Sequence, residues 1–580
     1  MQTLTSTLTP GADTTNRWWR DAPIYHIYPR SFRDTNADGI GDLPGIIEML
    51  PYLADLGIGA IWMGPVFRSP QVDNGYDISD YRDIDPIFGT LEDMDRLIAT
   101  AHDLGIRVLL DMVFNHSSNR HRWFEESVRD PAGPYGDYYI WRDAPGDADA
   151  LPNDWRSFFT GPAWTWSPER GQYYLHLFAP EQPDLNWDNP VVREELAEIA
   201  NFWLQRGVDG FRMDVINFIA KVEGLPSVGP GAAAQPATYI DHGRMVAYLQ
   251  EFRRRLHRQE EIVLVGETPH ISYEWARTLT AAETGALNMV LLFDHLEIDH
   301  GPGGRWHPTQ WTSKDLARVL AAQQSALSGS SWPSLYMGNH DQPRIVSRYG
   351  DDRQFRYASA TALATLFYLQ RGTPIIYQGD EIGMANYPLQ DASQIVDIES
   401  GNAYRSLVET EGVAPHDALR RVARNARDNS RTPMQWDETP NETWWYPLNP
   451  DHTTWNVAAQ SSTAGGPSVL LFYRRIIALR AEHSALREGA FEMVADTSPC
   501  IAFRRIGPAE TIIVVVNLSP GESPMPPEVG GIVAGTDDVR ILLTNMNNTL
   551  SRAGDAIDPA LAPWEARVLL QSRKNSTTIR

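Results

Sequence analysis

Eight short β-rich runs, most of them separated by helical stretches, constrain this chain more than any other feature. They fall at 24–32, 58–66, 106–114, 208–215, 262–268, 287–293, 334–338 and 373–377, with helical patterns such as 91–104 and 244–256 between them. Such alternation describes βα units, and eight of them predict an α/β fold, a (β/α)8 barrel. An open doubly wound sheet is the structural alternative. It is disfavoured because polar, chemically capable residues gather at the C-terminal ends of many runs, where barrel enzymes place their sites.

The fourth run ends Gly210-Phe211-Arg212-Met213-Asp214. Strand periodicity is two, so Arg212 and Asp214 project to the same side. An Asp held by an Arg stays ionised, which suits a nucleophile. A buried Arg–Asp pair is common in any core, so the pair needs partners before it means chemistry. The other runs supply them: Asp111-Met112-Val113-Phe114-Asn115-His116 on the third, Gly266-Glu267 on the fifth and Asn339-His340-Asp341 after the seventh. Cleaving a glycosidic bond with retention needs one carboxylate to attack the anomeric carbon. A second carboxyl, about 5–5.5 Å away, protonates the leaving oxygen. Asp214 fits the first role, Glu267 the second, and Asp341 can stabilise the positive ring carbon.

These blocks resemble the α-amylase family (glycoside hydrolase family 13). Three further blocks resemble its oligo-1,6-glucosidase branch: Gln182-Pro183-Asp184-Leu185-Asn186, Asn74-Gly75-Tyr76-Asp77-Ile78-Ser79-Asp80-Tyr81-Arg82, and Arg427-Asp428-Asn429-Ser430-Arg431-Thr432-Pro433-Met434-Gln435-Trp436. The resemblance implies a barrel at 17–116 and 185–488, an inserted domain at 117–184, an excursion at 384–445, and a C-terminal β-sandwich at 489–580. It implies Asp214 as nucleophile, Glu267 as acid/base and Asp341 as transition-state stabiliser. Arg212 would orient Asp214, His116 and His340 would bond sugar hydroxyls, and Tyr76 would stack under the ring. Asp77 and Arg427 would clasp the non-reducing end, closing the pocket so that one terminal glucose leaves at a time. Val215, the residue after the nucleophile, is Val in relatives preferring α-1,6 bonds and Ala or Thr in those preferring α-1,4. A methyl-scale difference is worth about 1–3 kcal/mol.

Two regions depart from close patterns. The stretch 296–306 lacks the Arg-rich loop of sucrose isomerases, and the segment after Trp436 is short. With the aromatics Trp155, Phe158, Phe159, Trp164 and Trp166 of the insert, these border the leaving-group subsites. A transglucosylase or sucrose-processing enzyme therefore stands as the rival. A non-catalytic sugar-binding relative is disfavoured because all three carboxylates are present.

Asp34-Thr35-Asn36-Ala37-Asp38-Gly39-Ile40-Gly41-Asp42 places oxygen groups at alternating positions, with Gly39 permitting a tight turn. The spacing matches the first half of a Ca²⁺ loop, although Gly45 stands where an EF-hand has its twelfth-position Glu. A metal-free Asp/Asn turn is the other reading. The resemblance implies structural Ca²⁺ held by Asp34, Asn36, Asp38, the Ile40 carbonyl and Asp42, and no organic cofactor.

The net charge of −24 argues against nucleic acid or an anionic membrane as partner. A small oligosaccharide is the expected partner, and oligomeric state is not legible. One cysteine, Cys500, excludes an internal disulfide. The polar residues 1–16 do not resemble a signal peptide, no apolar run is long enough to span a bilayer, and a cytoplasmic location is expected.

Overall fold

The computed structural model describes residues 17–146, 150–229, 236–439, 443–462, 466–534, 538–546 and 557–572. All eight runs contain a strand: β1 (Ile24–Ile27), β2 (Ala60–Met63), β3 (Arg107–Val113), β4 (Gly210–Asp214), β5 (Val263–Glu267), β6 (Met289–Leu291), β7 (Ser334–Leu335) and β8 (Thr373–Tyr377). They form one parallel sheet in the order β6-β5-β4-β3-β2-β1-β8-β7. Between β6 and β7 side chains take the place of a ladder. Ser334 Oγ donates to the Val290 carbonyl and Tyr336 Oη to that of Leu292, each at 2.7 Å. Every residue of β2, β4, β5 and β8 is buried, as parallel strands covered on both faces require.

The covering helices are α1 (Leu43–Leu56), α2 (Leu91–Asp103), α3 (Pro190–Gln205), α4 (His242–Arg255), α5 (Tyr273–Thr280), α6 (Ser313–Ala326), α7 (Arg356–Tyr368) and α8 (Val469–Glu482). Local chemistry sets several of their starts. Thr90 with Asp93, and Thr312 with Asp315, form reciprocal capping boxes on α2 and α6, and Asp42 caps α1. Each cap is worth about 1 kcal/mol.

Between β3 and α3, a helix Arg122–Arg129 and a three-stranded antiparallel sheet, with Gln172–Leu175 central, rise from the barrel rim. Trp155, Trp164, Leu175 and Leu177 of this insert pack in one apolar cluster with Val215, Phe218 and Tyr239, which anchors it above β4. After β8, helices Ile398–Arg405 and Pro415–Asn425 build a second cap around Leu407, Ala418 and Val422. The C-terminal part is a five-stranded antiparallel sheet with a small two-stranded one beside it. Buried Arg505 ties it to the end of α7 through the carbonyls of Leu369 and Gln370, at 3.0 and 2.6 Å. Cys500 is buried there, unpaired. Among the described residues no helix is long and apolar enough to cross a membrane.

Candidate active site

Register builds the centre of the site. Asp111 on β3 lies beside Arg212 on β4, and Val113 beside Asp214. Arg212 is wholly buried, and its Nη1 meets both Asp111 Oδ1 and Asp214 Oδ1 at 2.7 Å. Its Nη2 lies 2.7 Å from Glu267 Oε2, at the end of β5. The sequence pattern gave Arg212 to Asp214 alone; in the structure three carboxylates share it. Burial pushes Asp214 well above the usual carboxylate range and Asp111 up to about 6, with the neighbouring acids adding to the shift and Arg212 opposing it. One guanidinium thus faces three buried carboxylates. Trp62 Nε1 and Tyr76 Oη each donate to Asp111 Oδ2 at 3.1 Å, fixing the far side of the cluster.

Val215 follows directly. Its backbone is left-handed, φ 35° and ψ 40°, an unusual state for a β-branched residue. From it the amide N–H donates to Glu267 Oε2 at 3.0 Å. Its side chain is buried within the apolar cluster of the insert.

Across the pocket, Asp341 carries the opposite electrostatics. Although burial pushes its carboxyl up, the guanidiniums of Arg427, Arg431 and Arg212 hold it far below the usual range. Arg431 Nη2 donates to its Oδ1 at 2.8 Å, Arg427 Nη1 at 3.2 Å, and His340 Nε2 lies 3.2 Å from its Oδ2. Burial pushes His340 down to about 3 and His116 to about 4, so both are neutral imidazoles. His116 Nε2 lies 3.1 Å from the Tyr76 carbonyl and from Gln182 Nε2. The Tyr76 ring stacks on His340 at 5.1 Å.

Asp77 and Arg427 are expected from the sequence to clasp one sugar hydroxyl together; the carboxylate beside Arg427 is that of Asp73, Nη2 to Oδ1 at 3.0 Å. Asp77 is fully buried and accepts from Ser69 Oγ and the amides of Val72 and Asp73 at 2.9, 3.1 and 3.1 Å, so its charge is consumed in folding the loop. Arg427 also binds Asp397 and lies over the Phe159 ring at 5.0 Å, while Asn402 Nδ2 donates to the Phe159 carbonyl at 2.7 Å. Barrel, insert and excursion thus meet around one guanidinium.

The residues missed in the sequence are Asp73, Asp111, Asp397 and Arg431. Asp111 and Arg431 lie inside motif blocks and could have been found by asking what neutralises Arg212 and Asp341. Asp73 precedes its block by one residue, and Asp397 sits in an excursion without periodicity. Of the short stretch after Trp436, residues 440–442 lie outside the described residues.

The loop 34–42 is remote from this cluster in its contacts. Asp34 accepts from the amides of Asn36, Ala37 and Gly39, and Asp38 from that of Ile40. Asp42 accepts from the Thr35 amide at 3.0 Å and from Gly45 at 2.7 Å, the latter as the cap of α1. Among the described residues, no group of three His, Cys, Asp or Glu side chains converges as a metal site. All the same, the donors are oxygen only, and Asp34, Asp38 and Asp42 have no ion-pair partner among the described residues; that set suits a hard cation.

A parallel barrel with three buried carboxylates and a partly exposed fourth, Asp341, at its C-terminal rim suits a glycosidase, and the family comparison agrees. The family described as Alpha amylase, catalytic domain, matches residues 26–489. This chain belongs to that family and is a glycoside hydrolase. It is 43% identical to an oligo-1,6-glucosidase of Parageobacillus thermoglucosidasius, over 95% of this chain and 98% of that protein. It is 40% identical to a glucan 1,6-alpha-glucosidase of Streptococcus dysgalactiae subsp. equisimilis, over 95% and 98%. Among solved structures, a trehalulose synthase in complex with Tris superposes with a TM-score of 0.89 at 38% identity, covering 95% of this chain and all of that one.

Proposed function

We propose that the chain is a retaining, exo-acting α-glucosidase that releases glucose from the non-reducing end of short α-glucosides, with α-1,6 linkages preferred. The observation that carries the reading is the grip of one guanidinium, Arg212, on both Asp214 and Glu267, which seats two carboxylates on the same sugar. Asp214 attacks the anomeric carbon, and its electron pair forms the glucosyl ester as the bond to the leaving oxygen breaks. Glu267 Oε2 is anchored by Arg212 and the Val215 amide, so Oε1 is left to carry the proton to that oxygen. Water then attacks the anomeric carbon as Glu267 Oε1 takes its proton, and the ester bond breaks to return the Asp214 carboxylate. Asp341, kept ionised by its arginines, stabilises the oxocarbenium-like ring in both steps. Neutral His116 and His340 hydrogen-bond hydroxyls, and Tyr76 supports the ring from below.

Exo action follows from the Asp73–Arg427 pair with Phe159 beside it, which walls off the end of the pocket. The α-1,6 preference is supported by Val215 and by the two 1,6-glucosidase relatives. Transfer to a sugar acceptor is the second reading, favoured by the likeness to a trehalulose synthase, and it shares every group above. The direct test is trapping. A 5-fluoro-glucosyl fluoride should leave one glucosyl adduct on the peptide holding Asp214, and an adduct elsewhere would reassign the nucleophile.

The loop 34–42 is proposed to hold Ca²⁺ through Asp34, Asn36, Asp38, the Ile40 carbonyl and Asp42. The ion would brace the approach to α1 and the contact of Gly39 O with the Trp445 amide, 2.8 Å.

A further inference from the structure

The end of the barrel opposite the active site carries a second cavity, of about 760 Å³, at the N-terminal ends of β5, β6 and β7. Four arginines line it: Arg17, Arg20, Arg253 and Arg254. In a chain with net charge −24, none of them makes an ion pair with a carboxylate among the described residues. The hydrogen bonds of Arg253 go to uncharged groups, Nη1 donating to the Ala286 carbonyl and Asn288 Oδ1 at 3.1 Å each, while Glu260 acts on it only at longer range. Arg20 lies over the Trp332 ring at 4.5 Å, and Arg371 over the same ring at 4.6 Å, so the indole is a platform for two like charges. The Arg20 Nε is buried without a hydrogen bond. Burial, then Arg17 and Arg371, pushes Arg20 down to about 10, against the smaller opposing pull of Asp21 and Glu488. Two lining carboxylates, Glu260 and Glu283, are both exposed.

We infer that this cavity is an anion site, separate from the sugar pocket, for a small molecule bearing two phosphoryl groups. Planar guanidinium forks match phosphoryl oxygens in pairs, and a ring-stacked guanidinium keeps its N–H edge free for them. The volume exceeds what a single phosphate fills and admits a short linker between two. Its walls include the α4–β5 connection and Asn288, whose Oδ1 accepts from the Leu264 amide at 2.9 Å. Occupancy would therefore brace the root of the strand that ends in Glu267.

Isothermal titration of the whole protein with inorganic pyrophosphate tests this, with the sugar pocket filled by a non-hydrolysable thio-isomaltoside. The expected result is saturable one-to-one binding that weakens as salt rises. Arg17→Gln with Arg254→Gln, both exposed and so safe for folding, should weaken it about tenfold or more, with kcat on isomaltose unchanged. Arg20→Gln should act in the same direction. Absence of saturable binding to the parent, or equal affinity in the double variant, would overturn the assignment.

Discussion

The Val215 amide donates to Glu267 Oε2 at 3.0 Å from a backbone held at φ 35°. Strain of this kind in a β-branched residue costs roughly 1–3 kcal/mol, and here it aims an N–H at the proposed acid. The backbone carries that contact, while the side chain faces the insert. Val215→Gly should therefore keep turnover of activated aryl glucosides, since the amide remains and φ is relaxed. Val215→Ala and Val215→Thr should lower the isomaltose-to-maltose ratio of kcat/KM by about tenfold or more. An unchanged ratio in both would remove Val215 from linkage choice.

Asp73 and Asp77 are separable by substitution. Asp73→Asn removes one carboxylate that faces Arg427, so KM for isomaltose should rise and kcat/KM fall by about tenfold or more; Arg427 keeps Asp341 and Asp397 as partners, so Tm should change little. Asp77→Asn should act mainly on stability, because three donors converge on that side chain. The reverse pattern in urea unfolding and kinetics would restore Asp77 to the clasp.

That pair shows where sequence reading runs out. The eight strands were legible because a parallel strand buried on both faces is an apolar run with little ambiguity. Asp214, Glu267 and Asp341 were legible because each closes or follows such a run. Which of two aspartates four residues apart turns inward was not legible, because an irregular loop has no periodicity to assign faces. Nor was the sharing of Arg212 by Asp111, which depends on the register of β3 against β4. The arginine cavity depends likewise on four segments meeting at the barrel base.

Acid should destabilise the protein through His116. Its value falls from 6.5 to about 4 on folding, so between these limits the unfolded chain binds a proton that the native state refuses. The stability this neutral imidazole contributes is complete above pH 6.5 and is lost as pH falls towards 4, at up to about 1.4 kcal/mol per pH unit. Asp73 and Asp111, raised to about 6, act in the opposite sense, so a difference measurement is needed. The gap in urea-unfolding free energy between the parent and His116→Asn should close or invert across that window. A constant gap would show that His116 does not titrate as described.

Chelation should lower Tm by several degrees without changing kcat at temperatures where the protein stays folded, and Ca²⁺ should restore it. Asp38→Asn should remove most of the chelator effect. Equal Tm with and without chelator would leave loop 34–42 as a metal-free turn.

The most direct test of the central claim follows purified enzyme on isomaltose, maltose, sucrose and a long dextrin by proton NMR, reading the anomer of the first product. The account predicts α-glucose released fastest from isomaltose, with dextrin nearly untouched. β-Glucose as the first product would contradict retention through Asp214, and internal cleavage of dextrin would contradict the wall built by Asp73 and Arg427.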